Sequence, residues 1–216
     1  MVQPAACLFD LDGLLLDTEP LHARAWQQAA SHFGRPLDSE ELLALRGRRR
    51  FDCADQVLTW IAASGLPLPG RDALLAVRQP IAEALLTQAR PMPGARRLVE
   101  RCHGLGVPMA LATSSSRQAV ALKAAPHPWL GLIAERVHGD DPELGAGKPA
   151  PDPFLLAARR LGVRADACWA FEDSPAGVEA ALAAGCRVHV LLPPGRQAAD
   201  YPSRAICLNS LSDVVI

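Results

Sequence analysis

Short apolar runs recur at residues 5–11, 107–112, 132–137, 168–171 and 187–192, and the stretches between them carry helical periodicity. The runs are too short for ordinary helices and lack the polar alternation of a sheet wetted on one face. Each therefore predicts a strand buried on both faces of a parallel sheet. Strands and helices alternating in this way predict a doubly wound, Rossmann-like α/β core. The helix starts are punctuated. Asp152 is expected to cap a helix with Pro153 in its first position, and Pro175 opens a second such helix that stops at Gly185.

The alternation breaks between Leu15 and Pro91, where four helical patterns follow one another without a strand. Leu21, Ala25, Ala29 and Phe33 share one helix face that stops at Gly34. Asp38 and Glu41 form a capping box for a second helix ending near Gly47. A third pattern covers about residues 51–64. A fourth covers about 72–89 and contains Pro80, which is expected to kink or split it. The reading is an inserted helical domain at residues 16–90, within a discontinuous α/β core of residues 1–15 and 91–216. Thr18 and the residues just before it lead out of the core, and Pro91, Met92, Pro93 and Gly94 lead back, as a hinge would. Internal repeats and low-complexity segments are absent from the sequence.

Composition narrows the partner. The chain has 216 residues, and its 22 Lys and Arg stand against 23 Asp and Glu, so no surplus positive charge recommends a nucleic acid or an anionic membrane. A small-molecule partner is expected, and the oligomeric state stays open. The six cysteines are scattered without C-x-x-C pairs, which predicts buried, reduced thiols. No leader-like or membrane-spanning run is present in the sequence, so a cytoplasmic location is expected.

In an open parallel sheet, ligands collect beyond the carboxyl ends of the strands. Those ends share one chemistry here. The first strand is followed by Asp10 and Asp12, the second by Thr113 and Ser114 to Ser116, the fourth by Glu172 and Asp173, and Lys148 lies in a Gly/Pro loop between the third and fourth. Crowded carboxylates repel one another unless a cation is shared. Magnesium suits a few carboxylate or carbonyl oxygens together with a substrate phosphate, which Asp10, the Asp12 carbonyl and Asp173 can supply. Backbone N–H groups at the helix start after Thr113 favour an anion.

These residues are also open to plainer readings. Thr113 to Ser116 suit a helix cap, and Glu172 and Asp173 suit first-turn acids. The sequence around Lys148 lacks the first glycine and the Ser or Thr of a P-loop, because Pro142 and Pro149 stand there. Arg46, Arg48, Arg49 and Arg50 read either as a solvated charged face or as a substrate-contacting loop.

FDLDG at residues 9–13, ATSS at 112–115, GKPAPDPF at 147–154 and FEDSPAGVEAA at 171–181 resemble, in order, the four motifs of the haloacid dehalogenase superfamily. The inserted helices resemble that family's small helical cap. The resemblance implies a Mg2+-dependent phosphate-monoester hydrolase. In it Asp10 is the nucleophile that becomes an aspartyl-phosphate, and Asp12 is the acid and base. Thr113 and Lys148 hold phosphoryl oxygens. Asp10, Asp12 and Asp173 bind the metal, and Glu172 does so directly or through water. Asp12 also argues for phosphoryl chemistry over carbon–halogen cleavage. GDDPE at 139–143 resembles the branch that hydrolyses nucleotide and sugar monophosphates. Thr18, His22 and Arg50 resemble positions of a phosphosugar mutase branch, with His22, Arg50, Ser114, Thr113 and Lys148 as candidate substrate contacts. A phosphate-binding module without catalysis is the third alternative.

Overall fold

The computed structural model describes residues 3–45 and 50–216. Strand β1 (Ala6–Phe9) and the two-residue β2 (Leu16–Asp17) precede helices α1 (Glu19–His32), α2 (Ser39–Leu45), α3 (Arg50–Ala63) and α4 (Arg71–Leu86). Next come β3 (Arg90–Pro91), α5 (Ala95–Gly104), β4 (Met109–Ala112), α6 (Arg117–Ala124) and β5 (Glu135–Val137). The chain closes with α7 (Asp152–Arg160), β6 (Cys168–Glu172), α8 (Pro175–Ala183), β7 (Arg187–Leu191) and β8 (Ile206–Leu208). Two compact units result: the chain up to Asp17 with Arg90–Ile216, and the helical segment Thr18–Ala89.

The first unit is built on a six-stranded sheet in the order β5-β4-β1-β6-β7-β8, with every pairing parallel. Every residue of β1, β4 and β6 is buried, which is why these strands are apolar runs without alternation. From β1 the chain winds outward through β4 and β5, then crosses back to β6 and winds the other way. That reversal beside β1 opens the crevice in which such sheets bind ligands. Small residues let helices pack close. Ala157 of α7 and Ala180 and Ala181 of α8 join Leu8, Ala110, Phe154 and Val188 in one buried cluster.

Some expectations need correction. β1 and β7 end before their apolar runs do, β4 and β5 start later than theirs, and Leu132 belongs to a 3-10 turn at Pro128–Leu132 before β5. β8 is a further strand that pairs with β7. Asp152 is the first residue of α7 rather than its cap: Pro151 takes the cap position, and the Asp152 carboxylate accepts from the Ala146 N–H at 3.1 Å. α8 does follow the expected form, with the Ser174 hydroxyl accepting from the Gly177 N–H. The helix after Thr113 starts only at Arg117, capped by Ser116.

In the helical unit the Asp38–Glu41 capping box is present. Glu41 N–H donates to Asp38 Oδ1 at 2.9 Å, and Asp38 N–H donates to Glu41 Oε2 at 3.0 Å. Pro80 does not split the fourth helix, since α4 runs unbroken from Arg71 to Leu86 with Pro80 inside. Its place is secured by packing, because Leu74 on one side of Pro80 and Ala82, Leu85 and Leu86 on the other are all buried. Trp26, Ala29, Val57, Ile61 and Leu74 form this unit's core. Arg46, Arg48 and Arg49 lie outside the described residues. All six cysteines are free, five of them buried. No helix among the described residues is long and apolar enough to cross a membrane.

Candidate active site

Asp10 stands one residue beyond β1, and its N–H still donates to Phe171 O at 3.0 Å, so the sheet ladder fixes its backbone. Below it, Phe9 and Phe171 face each other in register with ring centroids 4.9 Å apart. Thr113 is held in the same way beyond β4, through its N–H to Val137 O at 3.0 Å. Glu172 closes β6, and Asp173 follows it. The sequence-predicted acids and Thr113 therefore meet at one end of the sheet because the adjacent strands β4, β1 and β6 end there together.

Lys148 reaches into this group from its loop. Its Nζ donates to Asp10 Oδ1 and to Glu172 Oε1, each at 2.5 Å, and all three side chains are at least nine-tenths buried. Burial opposes the lysine's charge, but Asp10 and Glu172 together hold its pKa above the ordinary value. The Asp10 carboxyl is pushed up to about 7, first by burial and then by Glu172 and Asp12, against the pull of Lys148. Glu172 has further donors: its Oε2 accepts from the Asp173 N–H at 3.2 Å and from the Ser174 hydroxyl at 3.2 Å.

Two glycines permit this crowding. Gly13 turns the chain after Asp12 with φ +83°, and a Cβ there would lie 2.1 Å from Asp173 Oδ2. A Cβ on Gly177 would lie 2.0 Å from the Glu172 carboxylate. Both motifs therefore require glycine where side chains of the acid group press against backbone.

Asp10, Glu172 and Asp173 each offer a carboxylate oxygen within 4.8 Å of the other two. Hard oxygen donors gathered this closely are what a divalent cation takes. The residues present fit such an ion.

Asp12 lies beside the group, held by Ser115, one of the serines that follow β4, and by Lys123, which the sequence reading does not single out. Lys123 of α6 places Nζ 2.6 Å from Oδ1 and 2.5 Å from Oδ2, and the Ser115 hydroxyl donates to Oδ2 at 2.7 Å. The signal for Lys123 was a lysine inside the apolar stretch AVALKAA, a position that would normally be filled by another core residue. Thr113 is buried, and its Oγ1 accepts from the Ser115 N–H at 3.1 Å, whereas Ser114 is exposed. Within 139–143, Arg160 grips Asp141 at 2.7 and 2.9 Å and Glu143 at 2.6 Å, while Asp140 Oδ1 accepts from the Arg117 N–H at 2.8 Å.

The remaining candidates belong to the helical unit. His22 Nδ1 lies 2.9 Å from Arg78 Nη2, and the Arg78 guanidinium sits 4.7 Å above the Trp26 ring. Burial, with Arg50 adding to it, lowers the Arg78 pKa to about 10. Arg50 lies over Phe51 at 4.8 Å and reaches Gln79 at 3.4 Å.

Known proteins resemble this chain in sequence and fold. The family model described as haloacid dehalogenase-like hydrolase matches residues 4–185. A probable pseudouridine-5'-phosphatase of Drosophila melanogaster is 39% identical over 96% of this chain and 90% of its own. A fructose-1-phosphate phosphatase of Escherichia coli is 36% identical over 84% of this chain and 93% of its own. Among solved structures, a family hydrolase from Deinococcus radiodurans with bound phosphate and sodium is 31% identical, with a TM-score of 0.75 over 94% of this chain and 91% of that one.

Proposed function

The chain belongs to the haloacid dehalogenase-like hydrolases and is a phosphatase of small phosphate esters, and on that premise we propose that it is magnesium-dependent and works through an aspartyl-phosphate on Asp10. The observation that carries this reading is the buried group at one end of the sheet. Asp10 shares Lys148 with Glu172, and Asp173 offers a carboxylate oxygen within 4.8 Å of one from each of those acids, close enough for one ion to be shared.

Asp10, Asp173 and the Asp12 carbonyl would hold the ion, with Glu172 behind them. Bound there, Mg2+ supplies a Lewis acid for phosphoryl oxygens and relieves the repulsion among the carboxylates. The chain's own residues do the rest. Lys148 and Thr113 take phosphoryl oxygens and hold the phosphorus in line with the Asp10 carboxylate. An Asp10 oxygen bonds to phosphorus as the ester P–O bond breaks, and the electron pair leaves on the ester oxygen, which takes a proton from Asp12. In the second half, Asp12 takes a proton from water. That water's oxygen bonds to phosphorus, the Asp10–phosphorus bond breaks, and inorganic phosphate leaves.

Hydrolysis is preferred to return of the phosphoryl group to a sugar, because the relatives just described are named as phosphatases. Pseudouridine 5'-phosphate is the first candidate substrate, since residues 139–149 resemble that branch and one such relative is 39% identical. His22 and Arg50 are proposed as contacts to the leaving group, with Ser114 at the phosphate.

The test is release of inorganic phosphate from pseudouridine 5'-phosphate, fructose 1-phosphate and glycerol 3-phosphate, with and without Mg2+. Magnesium-dependent release from at least one ester is expected. A protein that binds phosphate but turns over none of them would favour the non-catalytic module. Glucose 6-phosphate formed from beta-glucose 1-phosphate with a bisphosphate primer would favour the mutase.

A further inference from the structure

We propose that Lys123 is a positioning residue that, with Ser115, aims the Asp12 carboxylate at the leaving oxygen; this rests on the acid–base role proposed above for Asp12. A lysine in the last turn of a short helix normally extends into water, where it still benefits from the helix dipole. Lys123 does the opposite. Its side chain is only 1% exposed, while that of Asp12 is 21% exposed. The lysine therefore lies beneath the acid, on the side away from solvent.

The contacts form a closed triangle. Nζ of Lys123 donates to both Asp12 oxygens at 2.6 and 2.5 Å and to Ser115 Oγ at 2.7 Å, and Ser115 Oγ donates to Asp12 Oδ2 at 2.7 Å. Asp12 sits in the loop after β1, outside any extended ladder, so its backbone leaves the side-chain torsions open. Two donors anchored on α6 and on the loop after β4 remove that freedom. The cost of burying an ammonium is offset by this pairing. Fixing the acid–base carboxyl group in advance is what efficient proton transfer needs, since misplacement by about 1 Å can cost on the order of 10²-fold in rate.

The leaving group separates positioning of the acid from general support of the fold. An alkoxide leaving from glycerol 3-phosphate needs a proton, whereas p-nitrophenolate leaving from p-nitrophenyl phosphate does not. The parameter kcat/KM covers steps only up to the first irreversible one and so excludes the later role of Asp12 as base. Lys123→Met should lower kcat/KM for the alkyl ester by about 10- to 100-fold and leave the aryl ester nearly unchanged. Combined with Asp12→Ala, it should add no further loss on the alkyl ester.

Equal loss on both esters, no loss on either, or a full further loss in the double variant would overturn the proposal. Asp12→Ala measured alongside separates the two readings. If it shows no leaving-group selectivity, the acid role of Asp12 is wrong and the proposal for Lys123 goes with it. If it is selective and Lys123→Met is not, only the proposal for Lys123 fails. Should Lys123→Met not fold, Ser115→Ala removes one prong without stranding a buried amine. It should show the same selectivity more weakly, and its absence would count against the clamp.

Discussion

Tyr201 donates its hydroxyl to the backbone carbonyl of Asp173 at 2.8 Å. Burial, with Asp173 adding to it, raises the phenol pKa to about 12, so the group remains a donor across the working range. A residue near the C-terminus thereby secures the loop that carries a proposed metal ligand. Tyr201→Phe leaves the carbonyl without this donor. It should cost ~1 kcal/mol of stability in a urea titration. It should also raise the Mg2+ concentration needed for half-maximal turnover. A variant with unchanged Mg2+ dependence would confine Tyr201 to fold stability.

Asp10→Asn removes the nucleophile while keeping the shape and one acceptor for Lys148. Phosphate release should vanish with the thermal unfolding midpoint nearly unchanged. Mass spectrometry of acid-quenched wild-type protein should find a phosphoryl adduct on Asp10 that the variant lacks.

Lys148→Met strands two buried carboxylates. Breaking a buried ion pair from one side costs roughly 3–5 kcal/mol, and the lost electrostatic donor should lower turnover by about 10² to 10³. Chemical denaturation and initial-rate assays measure the two effects separately. A stable protein with wild-type rates would remove Lys148 from the mechanism.

Removal of divalent ions with a chelator should abolish turnover, and Mg2+ should restore it. Because only the folded acid group gathers these ligands, Mg2+ should also raise the unfolding temperature of the wild type. Asp173→Asn should blunt that rise. This readout does not depend on knowing the substrate.

His189 supplies a pH dependence of stability. Its ring lies between Trp169 and Phe171, with centroid distances of 4.8 and 4.9 Å, and its Nδ1 is buried without a hydrogen-bond partner. Burial, with Arg187 adding to it, lowers its pKa to about 4. Between the unfolded value of about 6.5 and that folded value, the unfolded chain binds a proton that the folded chain does not. Stability should therefore fall as pH drops through this window, by of order 3 kcal/mol from this group alone. His189→Phe should flatten that part of the stability–pH curve, and an unchanged slope would refute the assignment.

The central strands were legible because burial on both faces writes them as unbroken apolar runs, and their polar ends marked the acid group. What escaped notice has physical reasons. β8 is three residues long and only partly buried, so it carries little apolar signal. β2 and β3 are two residues each, and one contains Pro91. Asp152 looked like a cap because the residue type fits, yet its carboxylate serves a neighbouring loop instead. Periodicity assigns a lysine such as Lys123 to solvent by default, and its ion-pair partner lies 111 positions away in the chain. Arg78 is similar, since the aromatic face beneath it and His22 beside it come from α1.

The antiparallel pairing of Leu16 with Pro91 and of Asp17 with Arg90 joins the two strands of chain that leave for the helical segment and come back. Paired residues of this kind have Cα atoms about 5 Å apart, a gap that a two-residue hairpin turn closes. Thr18–Ala89 consequently departs from and rejoins the rest of the chain at neighbouring points, so the length of the helical segment does not set the spacing of the residues that flank it.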